Sequence, residues 1–341
     1  MKGFSKEYSN IVDYIIKITR DIWRELDIGL IYDTYSYNCI VHSGSTYREG
    51  VNDVISGTLQ MLHAFPDRNG YAHNVIWSGN DEYGFYTSHR GMSVATNLED
   101  SSFGPATGKR VMFRTTADCI IHNNKICEEW LVRDNLHLVQ QLGFDPVEVA
   151  KRQARSTKGQ TAKWNFGFPE TAEEQKPPTV FVPSSQSFNI EDFFLEMFNK
   201  VWERRSFKYV KQFYKKNAVV HYICNKELVG HKQIQGQLVS LFASVPNAKV
   251  LIDRVTCNQI GENNDWDVSV RWRIQGLHEG IGLFGKPSGK QIEFFGINQY
   301  RVVNGKIREE WFTYDGLDVL KQIHADCEDV TESISKQKKF V

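Results

Sequence analysis

The sequence predicts an α+β protein built from two tandem copies of one domain, each with three helices packed on one face of a curved antiparallel sheet. Three observations lead there. A set of residues recurs in register over more than a hundred positions. Each copy opens on apolar residues at helical spacing, and each then changes to short runs rich in Val, Ile, Tyr, Trp and Thr.

Asn10, Ile11, Asp13 and Trp23 recur as Asn189, Ile190, Asp192 and Trp202, an offset of 179 that also relates Tyr35, Asn38, Val41 and His42 to Tyr214, Asn217, Val220 and His221. Gly50 and Pro66 recur as Gly230 and Pro246, an offset of 180. FGPATGK (103–109) matches FGKPSGK (284–290), and KICEEWLVRD (125–134) matches KIREEWFTYD (306–315), both at 181. The drift needs only two single-residue insertions, so the copies occupy residues 1–145 and 187–332, with 146–186 between them.

Within a copy, Asn10 or Asn189 stands where a helix N-cap accepts from the exposed N–H groups, with Asp13 or Asp192 three residues on. Ile11, Val12, Ile15, Ile16, Ile22 and Trp23 in the first copy, and Phe193, Phe194, Met197, Phe198, Val201 and Trp202 in the second, each form a broad apolar helical stripe. A second helix ends near Tyr35 and Tyr214, and a third runs from about Gly50 to Phe65 and stops before Pro66. Strand-like runs follow at Ala72–Ser78, Tyr83–Ala95, Arg110–His122 and Ile126–Arg133, punctuated by GNDEYG and HNNK. Asp134 and Asp315 sit where the last strand gives way to a helix, a second N-cap position. The segment 146–186 is basic, then aromatic (Trp164, Phe166, Phe168), then Pro-rich, which reads as a linker whose rings either pack between the domains or cover a pocket.

Composition narrows the function. The 341 residues carry 41 basic and 41 acidic side chains, a balance that disfavours a dedicated nucleic-acid binder. No apolar stretch approaches the roughly 20 residues that span a bilayer, and the N-terminus lacks a signal-peptide pattern, so a cytoplasmic protein is expected. The six cysteines are scattered, with no C-x-x-C pair, and His63 and His73 lack metal-ligand spacing; neither a disulfide framework nor a metal site is expected. The paired glycines Gly104/Gly108 and Gly285/Gly289 predict a turn of positive φ rather than a phosphate cradle.

His42, FGPATGKRV, Asp118 and KICEEWLVRD together resemble the SnoaL-like polyketide cyclase (predicted ester cyclase) family, of the NTF2-like superfamily. The resemblance covers about residues 10–145 and 188–330. It implies two cones of curved sheet closed by helices, and a reaction in which one strand Asp acts as general acid/base on a carbonyl compound without metal or organic cofactor. The matching residue is Asp118, with Asn298 read at that position in the second copy, so chemistry is expected in the N-terminal cone only. A lone carboxylate in an apolar hollow loses hydration, and its pKa rises toward the working pH.

Around Asp118 the sequence offers His89, to orient it or to hold an enolate oxygen, with Arg271 read as the second-copy counterpart. His42, Arg90, Trp130, Glu129 and Trp77 complete the candidate pocket of the first copy, and His221, Arg271, Asn298 and Trp311 that of the second. His42, His221 and one Glu of each pair (Glu128/Glu129, Glu309/Glu310) are equally readable as groups that hold the fold. Two functions stay open: a cofactor-independent cyclase, isomerase or hydratase for a small apolar carbonyl compound, or a non-catalytic binder of such a molecule. In either, the C-terminal copy replaces the second subunit of a dimer, and the tandem chain could itself pair into a homodimer.

Overall fold

The computed structural model describes residues 1–156, 181–261 and 263–325. The N-terminal domain runs α1 (Ile11–Trp23), α2 (Leu30–Thr34), β1 (Tyr35–Ser43), β2 (Thr46–Glu49), α3 (Val51–Ala64), β3 (Asn69–Asn80), β4 (Gly84–Thr96), β5 (Arg110–His122), β6 (Lys125–Arg133) and α4 (Asn135–Leu142), followed by α5 (Pro146–Ser156). The second copy repeats it as α6 (Ile190–Met197), a π-helical continuation to Glu203, α7 (Val210–Phe213), β7 (Tyr214–His221), β8 (Glu227–Val229), α8 (Gly230–Ser244), β9 (Lys249–Gln259), β10 (Trp266–Leu277), β11 (Gln291–Val303), β12 (Lys306–Tyr314) and α9 (Gly316–His324). Each domain is thus a six-stranded sheet with helices on one face.

The caps are as the sequence places them. Asn10 accepts from the Asp13 N–H and Asn189 from that of Asp192, while Asp134 and Asp315 cap α4 and α9. α1 buries Ile11, Tyr14, Ile15, Ile18 and Ile22 against its sheet. Gly104, Gly108, Gly285 and Gly289 all have positive φ. One expectation needs correction: the sheets are mixed. Strand order is β2-β1-β6-β5-β4-β3, and β1, which follows directly on α2, pairs parallel to β6, as β7 does to β12. Only β3–β6 and β9–β12 form antiparallel meanders, because α3 or α8 crosses over before each of them.

The segment expected to be a linker begins with a helix. Val149 and Ala150 of α5 bury against Leu317 and Leu320 of α9, fastening the first domain's C-terminal end to the second domain. Trp164, Phe166 and Phe168 lie outside the described residues.

The outer faces of the two sheets pack on each other, and the contacts repeat across an approximate two-fold axis. Ser88 meets Ser269 at 2.7 Å, its own equivalent 181 residues on. Asn258 exchanges two hydrogen bonds with the Trp77 backbone, joining β9 to its counterpart β3. Arg271 stacks on Trp130 (3.5 Å) while Arg90 stacks on Trp311 (3.8 Å). Val132, Phe295 and Ile297 form an apolar cluster between the sheets. Such an interface covers a face that a single sheet would leave to water. No helix of the described residues is long and apolar enough to cross a membrane.

Candidate active site

Strand alternation decides which residues can reach a ligand. Along β5, Thr115, Ala117 and Cys119 point into the first cone, and Arg114, Thr116 and Asp118 point to the other domain. On β6, Glu129, Leu131 and Arg133 point in, and Glu128 and Trp130 point out. The cone holds a cavity of about 1030 Å³, at the upper end of the range for small-molecule sites. Its walls are apolar along α1 (Ile15, Ile18, Ile22) and polar at His89, Glu129, Arg68 and Arg133.

Asp118 does not line this cavity. Its carboxylate is 2 % exposed, accepts a hydrogen bond from Tyr86 Oη (3.0 Å) and stands 3.9 Å from Arg271, which itself donates to Tyr86 Oη at 2.7 Å. Burial still outweighs Arg271 and raises its pKa, as the sequence reading requires, but this desolvated carboxylate sits between the domains and not beside a ligand. Arg90, Arg271, Trp130 and Trp311 belong to the same interdomain layer, and Arg90 also donates to Gln299 Oε1. His42 stacks on Trp130 and bonds Glu128 (2.8 Å); His221 stacks on Trp311 and faces Glu309 and Glu227. Trp77 borders a smaller hollow beside α1. Of the first-copy candidates, only His89 and Glu129 line the main cavity.

The pairing of the copies shifts by one residue against the sequence reading. Ser88 pairs with Asp118 where Ser269 pairs with Gln299, so Gln299, not Asn298, is the counterpart of Asp118. Likewise Arg271 matches Arg90, and His89 matches Val270.

His89 is half-buried, and its Nε2, itself out of reach of solvent, has no hydrogen-bond partner. Burial first, then the charge of Arg90, pushes its pKa down to about 4, so the ring is neutral near pH 7. Glu129 accepts from Tyr35 Oη at 2.9 Å through Oε2, and its Oε1 has no donor among the described residues. Burial raises its pKa, opposed by the Tyr35 hydrogen bond and the charge of Arg133. Tyr35 is driven well above the usual phenol range by burial and then by Glu129, so it remains a donor. Register puts His89 and Glu129 two strands and two residues apart, about 12 Å between Cα atoms, which leaves room for a ligand between their side chains. Among the described residues no group of three or more His, Cys, Asp or Glu side chains could hold a metal ion.

Residues 14–142 and 193–323 each match the family of SnoaL-like polyketide cyclases. The chain belongs to that family. Solved structures similar to this chain include some that match over the length of one domain. A protein of the SnoaL-like polyketide cyclase type from Jannaschia sp. CCS1 shares 19% identity and covers 42% of this chain and 99% of its own, at a TM-score of 0.36. IdmH from Streptomyces antibioticus shares 16% identity over 39% of this chain and 97% of its own, at 0.34. A protein of the polyketide cyclase type from Bacillus cereus ATCC 10987 shares 21% over 44% and 93%, at 0.32. No curated protein matches the chain.

The second SnoaL-like cone differs inside. Gly91, Ala117 and Leu131 of the first correspond to Trp272, Asn298 and Phe312, at the constant offset of 181. Trp272 packs against Trp202 (5.0 Å between centroids), Phe312 (5.5 Å) and Tyr314 (6.4 Å), and occupies the space that a Cβ on Gly296 would need. The Glu–Tyr pair is kept as Glu310 and Tyr214 (2.7 Å), but Asn298 now caps Glu310 Oε1 at 2.7 Å. Asn298 is fully buried in this core.

Glu310 supplies a pH prediction. Burial, only partly offset by Tyr214, Tyr300 and Asn298, raises its pKa from 4.5 to about 7. The folded state therefore holds a proton that the unfolded chain releases, and that stabilisation is complete below about pH 4.5 and lost as pH rises through 7. Replacing it by Glu310→Gln should flatten this decline, gaining about 3 kcal/mol over wild type between pH 5 and pH 9. Urea denaturation across that range checks it, and parallel curves would show that Glu310 is ionised throughout.

Proposed function

We propose that the N-terminal cone carries out acid/base chemistry on a small carbonyl compound with an apolar body by way of an enolate, formed by proton removal for cyclisation or isomerisation, or by addition of water to a conjugated double bond for hydration. Glu129 Oε1 takes a proton from the carbon next to the carbonyl. The neutral His89 ring donates a hydrogen bond to the oxygen on which charge develops, a role for which an imidazole of depressed pKa is suited. Tyr35 holds Glu129 in place, and the walls from α1 exclude water. The C-terminal cone serves as the intramolecular partner that covers the first sheet. What carries this reading is one difference between otherwise matched pairs: Glu129 has an uncapped oxygen facing a cavity, whereas Glu310 is capped by Asn298 in a filled core.

A second reading has an observation of its own. Because the Glu–Tyr pair recurs in a cone that Trp272 and its neighbouring rings fill, it serves the fold in both copies, and the first cone could hold a ligand without turning it over. Ala117→Asn separates the two. It places in the open cone the amide that caps Glu310, and a hydrogen bond to a charged group is worth about 1.5–3 kcal/mol. Exchange of a bound diketone's α-protons with D2O, followed by NMR, should slow by roughly ten- to a hundredfold. Unchanged exchange would remove Glu129 from the chemistry.

A further inference from the structure

The charges that line the cavity are unevenly placed, with two arginines gathered at the Trp23 ring. Five arginines (Arg20, Arg24, Arg48, Arg68, Arg133) and three carboxylates (Glu49, Asp53, Glu129) border it. Arg20 and Arg24 lie toward solvent and pair with Asp21 and Glu25 on their own helix or just beyond it. Arg48 reaches the Asp53 carbonyl oxygen. Arg68 and Arg133 lie deeper. Arg68 is 8 % exposed, donates through Nε to Ser93 Oγ (3.1 Å) and lies 3.8 Å over the Trp23 ring, with Nη1 unpartnered. Arg133 approaches the same ring at 5.9 Å, and its Nε is unpartnered. Neither guanidinium forms an ion pair among the described residues; Arg133 feels the charge of Glu129 from the lining and of Asp315 from outside it, but neither carboxylate is in contact with it.

Two neighbouring guanidiniums whose buried nitrogens have no carboxylate in contact are costly unless an anion completes the site. Burial, and then their mutual repulsion, works against the charged form of Arg68. The second cone places no such pair at these positions: Arg133 corresponds to Tyr314, and Arg68, two residues after Pro66, corresponds to Ala248, two residues after Pro246. The arginines therefore accompany the open cavity and are not a requirement of the fold.

We infer that Arg68 and Arg133, bracing Trp23, form a carboxylate-binding subsite at one end of the cavity, so that the natural ligand is an oxo acid whose carboxylate is bound away from its acidic carbon. The planar fork of Arg suits a carboxylate. Arg133 and Glu129 are four residues apart on one face of β6, about 13 Å between Cα atoms, so the bound carboxylate does not compete with the base. This inference rests on the cavity being the working site but not on any turnover there.

The test compares 4-(acetoacetyl)benzoate with its methyl ester, which differ in charge at the end remote from the diketone, by calorimetric titration of the full chain. The acid is expected to bind at least tenfold more tightly than the ester, with the advantage shrinking as salt rises. Arg133→Met and Arg68→Met, checked for folding by circular dichroism, should remove the preference while ester binding stays within about threefold. Equal affinity for acid and ester, a preference untouched by both variants, or no binding of the acid at millimolar concentration would each overturn the inference, and stronger binding of 4-(acetoacetyl)phenyl phosphate would reassign the subsite to phosphate. A retained acid preference without α-proton exchange would instead defeat the enzymatic reading alone.

Discussion

Replacing Glu129 by Gln should reduce α-proton exchange by about 10²–10⁴-fold, the usual contribution of a positioned general base, while leaving the protein folded. Gln retains an oxygen able to accept from Tyr35 Oη, so the link between β1 and β6 survives the change. What disappears is the lone pair of a carboxylate whose pKa burial has raised. The pH profile adds an independent check. Because Glu129 must be ionised to act, kcat/KM should rise with pH, with its midpoint above the ordinary carboxylate value of 4.5. His89, neutral above about pH 4, should add no second limb near neutrality. In Glu129→Gln the residual rate should lose that rise. Asp118→Asn is the control: its side chain contacts Tyr86 and the second domain, so exchange should stay within about threefold of wild type. Loss of exchange in Asp118→Asn with retention in Glu129→Gln would return the chemistry to the interdomain carboxylate.

How the sequence misplaces Asp118 is instructive. The duplication, the caps at Asn10 and Asn189 and the meander are legible because they depend on spacing over many residues. The face of a strand depends on a single residue of register, and a slip of one reverses every side chain. FRTTADCII has Phe113, Thr115, Ala117 and Cys119 on one face and Arg114, Thr116 and Asp118 on the other, and both faces are covered, one by a cone and one by the sister sheet. Neither is solvated, so no hydrophobic–polar alternation marks the inner one. The offset of 181 taken from FGPATGK and KICEEW already aligns Asp118 with Gln299 and His89 with Val270. Held strictly, it also aligns Gly91 with Trp272, which distinguishes the open cone from the filled one before any coordinates. The interdomain stacking of Arg90 on Trp311 and Arg271 on Trp130 is beyond such reading, since each half resembles a pocket residue in its own copy and finds its partner only in the other domain.

Truncating the plug of the second cone gives the largest expected change in stability. Trp272 is fully buried and touches Trp202, Phe312 and Tyr314, so Trp272→Ala should cost about 3–5 kcal/mol, the range for removing a large aromatic from a packed core. The loss should lie toward the upper end because Gly296 adds no side chain with which to collapse the void. Since β10 also carries Arg271 and Ser269 into the interdomain layer, the damage would first loosen the second domain, broadening the denaturation transition or splitting it in two. Affinity of the first cone for 4-(acetoacetyl)benzoate should remain unchanged under conditions where the variant is still folded, because the rings that pack on Trp272 (Trp202, Phe312 and Tyr314) belong to the second cone and do not line the first cavity. A cost under 1 kcal/mol would mean that the second cone is as hollow as the first. The division between one cone that binds and one that fills space would then have to be abandoned, and both copies treated as candidate sites.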